Sequence, residues 1–219
     1  MSAHCGHDHG HSHGHDHGHD AAASSPAYRR VLWVALAVNL GMFSLEIVSG
    51  LTAQSVSLLA DSLDFLSDAS NYGISLIVFG MALRMRARAA LVKAACMAAF
   101  GLWVAYTTLQ HVQGGTMPAA PVMGIVGVLA FAANLGVAAL LYRFRNGDSN
   151  MRSVWICTRN DAIGNLAVIA AALGVFGAGA GWPDYIVGGV MSGLALWGSV
   201  TILRGALGEL RQPQAVGSL

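Results

Sequence analysis

Six stretches of mainly apolar residues, at roughly 31–50, 56–83, 90–110, 120–142, 153–177 and 183–204, leave this chain few ways to fold. Each reaches the ~20 residues that a helix needs to cross a hydrocarbon core of ~30 Å. Only 11% of the residues are charged, against about 25% in an ordinary soluble domain. The breaks between the stretches carry turn and loop chemistry: Arg84 to Arg88, Gly114-Gly115 with Pro118 and Pro121, Arg143 to Arg152, and Gly177 to Pro183. The sequence therefore predicts an all-α membrane protein, a six-transmembrane-helix bundle with no soluble domain between its spans. The first 27 residues hold no apolar core, so no cleavable signal peptide is expected.

Lys and Arg set the expected orientation. Arg29 and Arg30 precede the first span, and Arg84, Arg86, Arg88 and Lys93 surround the break after the second. Arg143, Arg145 and Arg152 lie in the break after the fourth span, and Arg204 and Arg211 end the sixth. The loops at 51–55, 111–119 and 178–182 hold no basic residue. By the positive-inside rule both termini are cytoplasmic, as six spans require. The exception is Arg159, between Cys157 and Asp161. Residues two apart on a helix do not share a face, so Arg159 is expected to point away from its neighbours and snorkel to the nearby cytoplasmic surface.

Acidic residues inside such spans are expensive, and each marks a functional site by default. Asp61, Asp64 and Asp68 in the second span stand at i, i+3 and i+7, one face of one helix. Cys157, Asp161 and Asn165 in the fifth follow at i, i+4 and i+8. At ~1.5 Å per residue, Asp64 and Asp68 lie roughly 12 and 18 Å inside the outer end of their span, and Cys157 and Asp161 roughly 6 and 12 Å inside the cytoplasmic end of theirs. Across ~30 Å of hydrocarbon the two pairs can meet at one level. Asp64, Asp68, Cys157 and Asp161 are thus the candidate metal ligands. Carboxylate oxygens with one thiolate suit Zn²⁺, and also Cd²⁺ or Co²⁺, better than Mg²⁺ or Ca²⁺. Such ligands shed protons to bind a metal, so metal and protons compete for the site. The bland alternative is that the carboxyls are protonated and glue the spans together by hydrogen bonds.

Other polar residues inside the spans are candidates for a second shell or a cation pathway: Asp61, Asn165, Glu46 and Asn134, with Asn39. Each has a structural alternative in helix capping or interhelical hydrogen bonding. Gly189 and Gly193 form a small-residue pair of the kind that allows close helix approach. Residues 4–20 are low in complexity, with His4, His7, His9, His11, His13, His15, His17 and His19 interleaved with Gly, Asp and Ser. Such a segment cannot form a packed core, and its imidazoles suit an auxiliary tether that collects metal.

The segment Ser57-Leu58-Leu59-Ala60-Asp61-Ser62-Leu63-Asp64-Phe65-Leu66-Ser67-Asp68 resembles the second-span signature of the cation diffusion facilitators. Asn150-Met151-Arg152-Ser153 leading to Cys157-x-x-x-Asp161-Ala162 resembles their fifth-span signature. The likeness covers roughly residues 28–205. It implies an efflux transporter, a metal/proton antiporter exporting Zn²⁺ or a similar ion, with its site on Asp64, Asp68, Cys157 and Asp161. The family usually has His or Asp where Cys157 stands, and a thiolate shifts preference toward softer ions such as Cd²⁺ or Cu⁺. Most members continue into a cytoplasmic metal-binding domain, whereas here a short tail follows, so this is expected to be a short member without it.

The expected organisation is a disordered His-rich cytoplasmic tail at 1–27, a six-span cation-efflux domain at 28–205 and a short cytoplasmic tail at 206–219. The expected setting is the cell membrane. The expected partners are metal ions, protons, the lipid bilayer and, for a homodimer, a second copy; neither nucleic acid nor a prosthetic group is expected, and no enzyme activity. An importer or channel of the same fold is the alternative. An intramembrane aspartyl protease also needs two Asp on different spans, but it carries Gly-x-Gly-Asp, and Asp161 follows Thr-Arg-Asn.

Overall fold

The computed structural model describes residues 26–77, 83–144 and 149–211. The His-rich segment expected to collect metal lies outside them. The described residues form six α-helices and no strand: α1 (Pro26–Ala53), α2 (Val56–Ile77), α3 (Leu83–Gly114), α4 (Ala120–Tyr142), α5 (Ser149–Ala178) and α6 (Trp182–Arg211). Five of them, all but α2, are long and apolar enough to cross a membrane. Their outward faces carry large apolar side chains such as Trp33, Val48, Leu102, Ile125, Leu173, Phe176 and Val190. So much exposed apolar surface belongs in lipid, not water.

α2 is the exception in composition because it is the exception in position. It packs against each of the other five helices. Its three aspartates therefore face protein rather than hydrocarbon. α3 and α5 both rest on α2 but hardly touch each other.

The helices run past the apolar stretches at several ends. Arg84 to Arg88, expected in a loop, form the first turns of α3, and Asn150 to Arg152 open α5. Arg, Ala and Met are good helix formers, and a helix can continue beyond the hydrocarbon without loss. Two of the expected loops that do break the chain contain glycine in the left-handed region, Gly115 with φ 63° and Gly179 with φ 60°, which stops a helix at no steric cost; in the loop at 51–55 the left-handed residue is Gln54, with φ 53°.

Three short connections, at 54–55, 115–119 and 179–181, gather at one end of the bundle. Ala119 N–H donates to the Ala53 carbonyl at 2.9 Å, and the Tyr185 hydroxyl donates to the Thr116 carbonyl. At Gly188 a Cβ would lie 2.9 Å from the Val56 carbonyl carbon, so only glycine lets α6 approach the start of α2 this closely. Around Gly189 and Gly193, the pair singled out from sequence, there is open space. The packing glycine is the neighbour.

Two sets of apolar clusters lie on either side of a polar layer. Toward the connection end, Leu58 packs with Met123, Val126, Val168, Ala171, Ala172 and Val175, and Leu59 and Ala60 pack with Val104. Toward the end that carries Arg29 and Arg143, Tyr28, Leu32 and Ala35 pack with Tyr72, Leu76, Val137 and Leu141. Between them sit Asn39, Glu46, Asp61, Asp64, Asp68, Asn134, Asp161 and Asn165.

Candidate metal centre

The N-terminus of α2 fixes where its aspartates stand. Helices begin with unpaired N–H groups, and here three are met. Asp184 of α6 accepts Val56 N–H at 2.8 Å and Ser57 N–H at 3.0 Å, and Ser55 Oγ accepts Leu58 N–H at 3.2 Å. Ser55 Oγ itself donates to Asp184 at 2.8 Å. Asp184 is fully buried, and its negative charge at a helix N-terminus is favourable. From that start Asp61, Asp64 and Asp68 follow down one face.

Asp68 is buried and held by two hydroxyls. Tyr72 OH donates to Asp68 Oδ2 at 2.7 Å, and Thr158 Oγ1 of α5 donates to the same oxygen at 3.1 Å. The two hydroxyls also meet each other at 2.6 Å. This triad bridges α2 to α5 and brings the Asp161 side chain into contact with Asp68. Asp64, one turn from Asp68, lies close enough to both to feel their charges.

Among the described residues, no three His, Cys, Asp or Glu side chains are grouped tightly enough to hold one ion together. The structure brings Asp68 and Asp161 together across two helices, with Asp64 alongside. Cys157, expected from sequence as the sulfur ligand, is buried one turn from Asp161 on α5, but its sulfur is held in a disulfide and is no thiolate ligand here. Asp64 and Asp161 are partly buried, and so is Lys93. Lys93 reaches from α3 to donate from Nζ to Asn71 Oδ1 at 2.5 Å, and its ammonium is near both Asp68 and Asp161. The acidic pair thus has a positive neighbour.

Arg159 points outward and contributes nothing to this site. It is exposed, its guanidinium stands over the Trp155 ring at 5.2 Å, and it donates to Asn160 Oδ1 at 3.3 Å. The remaining polar candidates are all buried. Asn39 Nδ2 donates back to the Ala35 carbonyl at 2.8 Å. Asn39 Oδ1, Asn134 Oδ1 and both amide atoms of Asn165 find no hydrogen-bond partner among the described residues. Tyr72, Thr158, Lys93 and Asp184 were not singled out from sequence. Each acts through a partner on another helix or a turn away, and no local spacing marks that. Tyr72 alone had a signal, standing at i+4 from Asp68.

Acidic side chains from two helices meet inside an apolar bundle, in a polytopic membrane protein. Residues 32–211 match the family described as the cation efflux transmembrane domain, and the chain belongs to that family. It is similar to the cadmium, cobalt and zinc/H(+)-K(+) antiporter of Bacillus subtilis (strain 168), 24% identical over 186 residues that cover 78% of this chain and 59% of the relative. A Bacillus velezensis protein of the same name is 23% identical over 172 residues, 71% of this chain and 54% of that one. The chain spans a little over half the length of these curated relatives.

Proposed function

We propose that the protein exports a divalent transition-metal cation, Zn²⁺ first and Cd²⁺ or Co²⁺ next, in exchange for protons. Asp64, Asp68 and Asp161 supply the oxygens. The observation that carries this reading is the meeting of Asp68 and Asp161 across α2 and α5, with Asp64 one turn away. Carboxyls so placed repel one another unless protons or a cation intervene, which is the competition an antiporter needs. The names of the two relatives, antiporters of cadmium, cobalt and zinc against H(+) and K(+), support the same metals and the proton.

The two apolar clusters around the polar layer would take turns as gates. Asp64, Asp161 and Lys93 are partly buried, and theirs is the side from which an ion reaches the acids. With both termini in the cytoplasm of a cell membrane, the basic end faces inward and the 54–55, 115–119 and 179–181 connections face out. The His-rich tail would then raise the metal concentration at the inner mouth. Its deletion lowers apparent affinity more than maximal flux.

The test is flux in sealed vesicles combined with a metal-sensitivity panel in cells lacking exporters. Asp64→Ala and Asp161→Ala should abolish Zn²⁺ export. Transport that persists in both Asp variants, or that ignores an imposed pH gradient, defeats the reading. Uptake in place of export would favour an importer of the same fold.

A further inference from the structure

Glu46 of α1 and Asp61 of α2 form a second acidic pair that the metal site does not use. Both side chains are 0% exposed. The helices that carry them are joined by the short connection at 54–55 and run antiparallel. The two residues stand within a turn or so of equal distance from it, so the pairing sets them at one level. Their carboxyl groups are in contact. None of their four oxygens finds a hydrogen-bond donor among the described residues.

Two ionised carboxylates cannot rest against each other in a low-dielectric interior without a donor or a cation. A single hydrogen changes the contact from repulsion to attraction, because one carboxyl O–H then donates to the other carboxylate. Such charge-assisted bonds are short and strong. The groups that face the pair from the packed helices offer no cation instead. On α2 the neighbours are Asp64 and, further along, Asp68. The ammonium of Lys93 on α3 is committed to Asn71 and lies near Asp68 and Asp161. From α4 comes neutral Asn134, and from α6 Asp184, occupied at the start of α2.

α5 supplies Asp161 and Asn165. Thr158 bonds Asp68, and Val168 packs on Leu58. Asn165 lies between them on the same helical face, so it meets α2 in the stretch from Asp61 to Asp64. Its amide is fully buried, and neither polar atom has a partner among the described residues. This is an N–H donor waiting at the level of the pair.

The geometry points to Glu46 and Asp61 as a proton-binding site that is separate from the metal ligands and holds one proton between two carboxyl oxygens. The inference deepens the antiport reading and rests on it for its role in transport. When a dication settles on Asp64, Asp68 and Asp161, the shared O–H bond breaks and the proton passes to water as hydronium. The pair is left doubly anionic beside the dication, with the Asn165 amide donating to it. When the metal leaves, the proton returns.

The test uses the purified full chain with Zn²⁺ as the probe. Protons released per Zn²⁺ are counted by calorimetry in buffers of different ionisation enthalpy, and protonated carboxyls are followed by their infrared carbonyl band. Glu46→Gln and Asp61→Asn should each lower the released protons by about one, and, having lost one anion beside the ion, weaken Zn²⁺ binding at alkaline pH by about tenfold without abolishing it. Each should also remove one protonated carboxyl from a pH-dependent infrared difference recorded without Zn²⁺. The introduced amide gives the remaining carboxylate a donor, so both variants should stay helical and monodisperse. Should a variant fail to do so, Glu46→Asp, which keeps the proton, must retain the infrared band for the pair to stand. An unchanged proton count and an unchanged infrared band in folded variants overturn the inference. So does loss of Zn²⁺ binding in both variants, which would make the pair itself the metal site. The infrared titration needs no metal, so it can succeed even if Asp64→Ala and Asp161→Ala bind Zn²⁺ normally and the metal-site reading fails.

Discussion

Asp184 Oδ2 accepts the Val56 N–H at 2.8 Å across 128 residues of sequence. This contact ties the start of α6 to the start of the helix that carries three acidic groups. Buried N–H groups left without an acceptor cost about 1–3 kcal/mol. Asp184→Ala orphans Val56 and Ser57 N–H together. It should lower the unfolding free energy by roughly 2–4 kcal/mol, read as an earlier thermal transition of the solubilised protein. Asp184→Asn, which keeps one acceptor oxygen, should fall between the two. Equal stability of the Ala variant and the parent would show that the cap is not needed.

The two hydroxyls on Asp68 Oδ2 orient that carboxylate and leave Oδ1 for an ion. Hydrogen-bond partners of a ligand typically tune metal affinity by about 10–100-fold. Tyr72→Phe and the near-isosteric Thr158→Val should each weaken Zn²⁺ binding by roughly tenfold, measured by calorimetry at fixed pH. Tyr72→Phe keeps its ring among Val137 and Leu141, so stability should change little. Unaltered affinity in both variants would leave the triad a purely structural bridge.

Lys93 stands near the acids as a competing positive charge. Removing it in Lys93→Gln should tighten Zn²⁺ binding by about tenfold, as expected for one charge a few ångström from a site in partly screened surroundings. The same change should slow release, so turnover falls while affinity rises. Lys93→Arg should keep the parent affinity. A loss of affinity in Lys93→Gln would instead make the lysine a support for the acids.

Because carboxyl ligands bind metal only after losing protons, acid must weaken binding. Below the range where the ligands ionise, affinity should fall roughly tenfold per pH unit for each proton displaced. It should recover as pH rises. Zn²⁺ affinity that is flat from about pH 5.5 to 8 would contradict a site built on protonatable ligands.

Much of this was legible before any coordinates, and the rest was not, for physical reasons. The apolar lengths gave six helices, and the i, i+3, i+4 spacing marked Asp61, Asp64, Asp68 and Asp161, because helical periodicity is local information. The Arg84–Arg88 break was misjudged because charge marks the end of hydrocarbon, not the end of a helix. Lys93 was taken only as an orientation marker, since its sequence neighbours do not disclose that it reaches Asn71 on another helix. Asp184 stands near the start of α6, yet its acceptors serve a different helix. Gly188, rather than Gly189 or Gly193, meets α2, because which glycine faces a neighbour within the chain depends on the rotation of α6.

The central place of α2 also bears on how the chain is made. An aspartate at the middle of a lone inserting helix costs roughly 2.5–3.5 kcal/mol, and α2 carries three. It is therefore a poor candidate for leaving the translocon by itself. α1, with a mean hydropathy of 2.0 over its most apolar window, is joined to α2 by only the connection at 54–55 and packs along it. The two would enter as a hairpin, the greasy arm chaperoning the acidic one until the later helices arrive to enclose it.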